Sequence, residues 1–329
     1  KVKVNEFAIG MGPALLKLGK GETKYSLRAL PFGGSVRMEG EDEESPDARS
    51  FLGQKPWKRF IILFAGAFIN LICGFLIMVM LVSSLGGIHS TSVGEFAKNA
   101  STRQEGLREG DEFLRINGKR VLSNMDIFFL LSRDSDGIVE LEVKRSGKTV
   151  RFERFAFPVQ ENEDGSRSPV QDFIPTFLQP TAGRVLQYSV RQSVTVARIV
   201  WLSLLDMMTG RFKLSDMSGP IGVVGILTNQ AQEAQQSAAK NDSEALHYAV
   251  MNLLLLFSLI SINIGIMNLL PIPALDGGRL FFCIAEMIFR KPIPKKLEAI
   301  IHGAGMILLL AFMVIISFSD IWALITGKR

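Results

Sequence analysis

Asp276 sits in the run NLLPIPALDGGRL (268–280), at the end of an apolar stretch. A carboxylate there is costly unless it is paired, hydrated or coordinated, which makes it a functional candidate. Pro271 and Pro273 just before it break a helix, and Gly277 and Gly278 just after it loosen the backbone. The helix is therefore interrupted where the carboxylate lies, and interrupted helices are tolerated at membrane depth where they line a protein cavity. Asn263 and Asn268 put amide groups in the same stretch. Five residues apart, they face roughly 140° apart on a straight helix, so both reach one site only across a kink. The plain alternative is that Asp276 merely caps the helix that follows. Few other groups could share its work. The histidines are His89, His247 and His302, and no H-E-x-x-H is present. Cys73 and Cys283 have neither the pattern of a disulfide framework nor the paired spacing of a zinc knuckle.

The elements that must position these residues are read from how the apolar residues cluster. The chain has 329 residues, 47% of them apolar, a fraction that a soluble domain also reaches. Here they concentrate in Phe60–Val82, Ala249–Leu270 and Ile300–Phe318. About 20 mainly apolar residues cross a bilayer core, so three transmembrane spans are expected. The basic residues of 1–59, and Arg279, Arg290, Lys291, Lys295 and Lys296, place those two segments on the cytoplasmic side and 86–245 outside. The net charge of +5 is thereby explained by topology, and with no basic face interleaved with aromatics a nucleic-acid role has no support. The opening KVKVNEF is not a signal peptide. The natural protein is expected to start further upstream.

Residues 24–38 alternate apolar and polar around Phe32-Gly33-Gly34 and predict a β-hairpin or β-loop. A Gly–Asp turn feeds a strand ending at Asn117-Gly118; a helix over 122–133 and two strands joined at Ser146-Gly147 follow. That order resembles a PDZ domain. Residues 181–210 carry a helical apolar stripe broken by Arg184, Arg191, Arg198 and Asp206, which predicts an amphipathic helix on the outer membrane surface or packed on the PDZ domain. Ser218-Gly219-Pro220-Ile221-Gly222 reads as a sharp turn, and 230–245 as a polar, solvated stretch.

Taken together, NEFAIGMGP (5–13), YSLRALPFGGSVRMEGE (25–41), AGAFIN (65–70), a single PDZ-like domain, SGPIGV (218–223) and N-x-x-P-x-P-x-L-D-G-G-R resemble the site-2 protease family of intramembrane zinc metalloproteases, in its bacterial RseP-like branch. The resemblance implies that zinc is held by two histidines of an H-E-x-x-H helix and by Asp276. Such a set leaves one position for a water that the metal acidifies, with the Glu as general base. It implies that Asn263 and Asn268 handle the substrate backbone, and that Phe32, Gly33 and Gly34 pair with an extended substrate. In the family the histidine motif lies in a span directly before the segment matching Lys1–Pro13, so that span is expected upstream of this chain. Without it the chain alone is expected to be inactive.

The expected fold is a polytopic α-helical membrane protein with a cytoplasmic membrane-associated β-loop and an extracytoplasmic PDZ (α+β) domain. Its segments are the β-loop region 1–59, a span at 60–85, the PDZ domain at 86–158, and a C-terminal region with amphipathic helices at 159–245. A discontinuous span with the LDGG motif at 246–278, a cytoplasmic loop at 279–298 and a last span at 299–326 complete it. The expected activity is intramembrane zinc endopeptidase, cleaving single-pass membrane proteins such as anti-sigma factors or remnant signal peptides in the bacterial inner membrane. The rival reading is a non-catalytic, membrane-anchored PDZ scaffold. A transporter is disfavoured, because three spans carry no inverted repeat.

Overall fold

The structure is a computed structural model that describes residues 1–19, 21–41, 45–84, 86–161, 167–209, 232, 235–236 and 243–326. The turn expected at Ser218–Gly222 and most of the stretch 230–245 lie outside the described residues. The chain divides into two compact units, one made of 1–67 with 268–306 and the other of 68–267 with 307–329.

The first unit opens with two bent strands, β1 (Val4–Leu18) and β2 (Lys24–Met38), paired antiparallel. Residues 6–9 are flanked on both sides: Glu6 is opposite Lys24 and Arg37, and Ile9 is opposite Leu27 and Gly34. The β-loop predicted around Phe32-Gly33-Gly34 is present, but its two arms do not pair with each other, because 6–9 lies between them. Helix α1 (Pro56–Ser84) follows, and its residues up to Ala67 belong to this unit. A small apolar core joins Phe51, Leu63, Leu280 and Cys283.

The second unit holds a sheet ordered β10-β3-β4-β6-β7, from β3 (Ile88–Phe96), β4 (Glu112–Ile116), β6 (Ile138–Arg145), β7 (Lys148–Ala156) and β10 (Phe173–Leu178); β5 (Lys119–Arg120) pairs with β4. A short pair, β8 (Val159–Glu161) and β9 (Arg167–Pro169), stands apart from it. Both predicted tight turns have the left-handed backbone that type I′ hairpins need: Asn117 and Gly118 at φ 48° and 72°, Ser146 and Gly147 at 48° and 83°. Helix α2 (Ser101–Gln104) is one turn; α3 (Asn124–Ser132) starts with a capping box between Ser123 and Asp126. Phe113, Ile116, Ile127, Leu141 and Phe155 fill the core.

The sheet does not stop near 158. Strand β10 adds an edge beyond it, and Pro175, which has no N–H to donate, fits an edge position. Gly94 on β3 permits this, since a Cβ there would stand 2.9 Å from the Ile174 carbonyl.

Helix α4 (Ala182–Met208) comes next, then α5 (Ser243–Met267), α6 (Asp276–Phe289) and α7 (Lys295–Thr326). Helices α1, α5 and α7 are each long and apolar enough to cross a membrane. The second part of α1 packs closely on α5. A Cβ on Gly74 would meet Ile262 at 2.6 Å, while Ser258 and Ser261 donate hydroxyl bonds to the carbonyls of Gly74 and Asn70. Small residues and hydroxyls at a contact are the usual means of joining helices within lipid. Residues 279–298, read from sequence as a loop, are mostly helix α6. Arg279, Arg290 and Lys291 suggested a solvated link and hid the apolar spacing of Leu280, Cys283 and Ile284 between them.

Candidate functional site

The site grows from one break in the chain. Helix α5 ends at Met267, and 268–275 is a turn region before Asp276 begins α6. Pro271 and Pro273 cannot continue the α5 ladder. Within the turn the Ile272 N–H donates to the Leu270 carbonyl at 2.7 Å and the Leu275 N–H to the Ile272 carbonyl at 3.2 Å. Gly277 and Gly278 let this turn press against the helix it precedes: a Cβ at 277 would lie 1.9 Å from the Leu270 carbonyl oxygen, and one at 278 would lie 2.7 Å from that of Ile272. On α7, Gly305 makes the same allowance for Pro273, which a Cβ would meet at 2.4 Å. The four expected structural residues, Pro271, Pro273, Gly277 and Gly278, thus shape one turn.

Asp276 is half-buried in the first turn of α6, where the helix dipole favours a negative charge. Its Oδ2 lies 3.9 Å from where a Cβ on Gly66 would be, so the carboxylate stands beside Gly66 of α1. Three residues on, Arg279 pairs with Glu41 at 3.2 Å, which ties α6 to the segment following β2. Further along, Arg59 and Glu286 form an ion pair buried on both sides, and Glu286 also accepts from the Ile293 N–H at 3.1 Å. A cavity of about 440 Å³ opens nearby, lined among others by Glu41, Arg59, Arg279, Cys283 and His302. Cys73 and Cys283 are free thiols.

His302 makes a polar contact from α7. Its Nδ1 accepts the Ala274 N–H at 3.1 Å, and Ala274 holds φ at 78°, a left-handed value uncommon for a residue with a Cβ. The side chain on α7 thereby pins the strained residue two positions before Asp276. Nothing in the sequence announces this bond, because its partner is a backbone group 28 positions away.

The other predicted residues lie on elements already described. Asn268 lies in the turn region of the first unit; Asn263 is exposed on α5 in the second. Phe32, Gly33 and Gly34 lie within β2, with Gly34 opposite Ile9. Among the described residues no group of three or more His, Cys, Asp or Glu side chains stands ready for a metal ion. Asp276 alone cannot make a tetrahedral zinc site, which takes three protein ligands in a catalytic centre.

Three membrane-capable helices mark a multi-pass membrane protein, and its chain breaks between two helices at a carboxylate. Across residues 1–312 the sequence matches the model of peptidase family M50. The chain belongs to that family, the site-2 proteases. It is 33% identical over 325 residues to a Clostridium perfringens protein named as a candidate zinc metalloprotease, covering 97% of this chain and 90% of that one. A similarly named protein of Clostridium acetobutylicum is 32% identical, with 97% and 89% covered. The regulator of sigma-W protease RasP of Bacillus subtilis is 28% identical, with 96% and 90% covered. Among solved structures, the PDZ domain of an SdrC-like protein from Listeria monocytogenes is 16% identical with a TM-score of 0.20, covering 29% of this chain and 90% of that one.

Proposed function

We propose that this chain belongs to a zinc endopeptidase that cuts transmembrane segments of single-pass membrane proteins, with Asp276 as one of three protein ligands to the metal. The observation that carries the reading is the broken helix: two prolines, two close-packed glycines and the His302 bond are all spent on presenting one carboxylate. A turn that served only to cap α6 would need none of them. Two of these relatives are named as zinc metalloproteases and the third as a protease, which favours the enzyme over a scaffold that keeps the fold without the chemistry. Substrates of the anti-sigma-factor or remnant-signal-peptide kind fit a protease of this class.

In this reading the protein lies in the bacterial inner membrane, with β1–β2 on the cytoplasmic side and the β-rich domain outside. The 34–37 arm of β2 has a described partner on one side only, so the Phe32-Gly33-Gly34 loop and its edge could add an extended substrate segment as a further strand. Asn263 and Asn268 would offer substitute hydrogen bonds to the substrate backbone. The β-rich domain, read as a PDZ module, would screen substrates by size. Protein expressed from the complete reading frame should carry one zinc and lose cleavage of a single-span substrate when the metal is chelated. Absence of zinc, or cleavage indifferent to chelation, would sink the assignment.

A further inference from the structure

A second cavity of the first unit, of about 500 Å³, lies between the start of α1, the end of α6 and the link to α7. Its frame is fixed by a buried ion pair. Arg59 joins α1 to Glu286 of α6, and Glu286 also holds the link through the Ile293 N–H at 3.1 Å. All three residues line the cavity. With Arg59 and Glu286 satisfied by each other, Lys55, Arg290 and Lys291 remain on its walls. These three are exposed, and none forms an ion pair with a carboxylate among the described residues. Glu298 is the other acid in the lining, so cations outnumber carboxylates four to two.

Basic residues at the end of a span set its topology, but that role asks only for charge near the lipid, on any face. Two features go further. Arg290 holds φ at 53°, a left-handed value where Gly or Asn costs less, so an arginine sits there against its backbone preference. The first turn of α1 carries Lys58 and Arg59 and no acidic residue, the reverse of what the positive end of a helix favours. An anion in the cavity supplies the missing charge at that helix end and a partner for Arg290. The walls also select the kind of anion. Leu52, Met287 and Trp57 give the cavity an apolar side, and Ile288 and Phe289 of α6 beside it are 68% and 72% exposed. Because α1 is membrane-capable, its first turn lies where acyl chains give way to headgroups. A free phosphate would use the cations and leave the apolar surface bare, whereas a phospholipid uses both.

We propose that this cavity binds the phosphate headgroup of an anionic phospholipid, with Lys55, Arg290 and Lys291 supplying the charge and the exposed apolar residues of α6 taking an acyl chain. Basic pockets between membrane helices suit such headgroups. The bound lipid clamps the start of α1 to the end of α6.

The test equilibrates the complete protein in detergent with graded phosphatidylglycerol and counts bound lipids by native mass spectrometry. One phosphatidylglycerol should bind saturably, and phosphatidylcholine should not. The variant Lys55→Gln/Arg290→Asn/Lys291→Gln, in which Asn tolerates the left-handed backbone, should bind at least about tenfold more weakly with its circular dichroism unchanged. Lys55→Gln alone, on an exposed side chain, should weaken binding about fivefold and keeps the test open if the triple variant misfolds. Lys1→Gln/Lys17→Gln/Lys24→Gln removes as much charge away from the cavity and should leave binding unchanged. Glycerol phosphate at matched concentration should not displace the lipid. Equal binding of the two lipids, full affinity in the cavity variants, or the same loss in the control variant overturns the proposal. Displacement by glycerol phosphate overturns it too, in favour of a soluble phosphate.

Discussion

Ala274 holds a conformation that costs of order 1 kcal/mol, and the His302 bond is what holds it there. His302→Leu should leave the protein folded yet lower cleavage on the order of 10–100-fold, the range seen when a partner that orients a metal ligand is lost. His302→Gln, whose amide oxygen can still accept, should restore part of it; equal losses in the two variants would point to packing instead. Gly277→Ala is a harsher change. Its methyl would enter the Leu270 carbonyl, so the turn must move and stability should fall by more than about 2 kcal/mol, read from thermal unfolding. At this scale Asp276 was legible because its own neighbours, Pro271, Pro273, Gly277 and Gly278, announce a break in an apolar run. His302 was not, because a bond to a distant N–H leaves no spacing in the sequence.

Among the elements, the β-rich domain depends on a pair whose carboxylate, just before β4, is buried and whose guanidinium comes from β6. Asp111 is fully buried and accepts from Arg145 Nε at 2.8 Å, Arg145 Nη2 at 2.6 Å and the Arg108 N–H at 2.9 Å. The Asp111 hydrogen bond holds the Arg145 guanidinium above its ordinary pKa. Arg145→Met strands a buried carboxylate and should cost about 3 kcal/mol, visible as faster amide exchange in β4 and β6. The β1–β2 sheet should instead be sensitive to acid. Ser26 and then Arg28 hold the Glu6 carboxyl below its usual 4.5, and Ser45 and Asn5 do the same for Glu39. A depressed carboxylate stabilises the fold above its unfolded pKa, and that contribution is lost as pH falls through the folded value. Protease cleavage within 1–40 should therefore rise below about pH 4.5 in the native protein, and less so in Glu6→Gln/Glu39→Gln, which lacks the titrating groups.

The hairpins at Asn117-Gly118 and Ser146-Gly147 could be read directly, since turn chemistry is local. Strand β10 and helix α6 could not. Pro175 breaks the strand pattern of one, and the basic residues around the other resemble a loop.

For the whole molecule, the clustering of apolar residues was enough to find three membrane-capable helices, because only their apolar length matters. Which face of α4 the fold covers was beyond it: α3 takes the polar side, through Thr195 and Arg198 on Asp126 and Asp206 on Arg133. The central claim, that the molecule exists to present Asp276 for peptide cleavage within the membrane, has a direct test. Complete protein and its Asp276→Asn variant are reconstituted in vesicles with a single-span substrate, and the cleaved fraction is followed over time. The account predicts cleavage by the unaltered protein and none above background by the variant, with both folded alike. Undiminished cleavage by Asp276→Asn would contradict it.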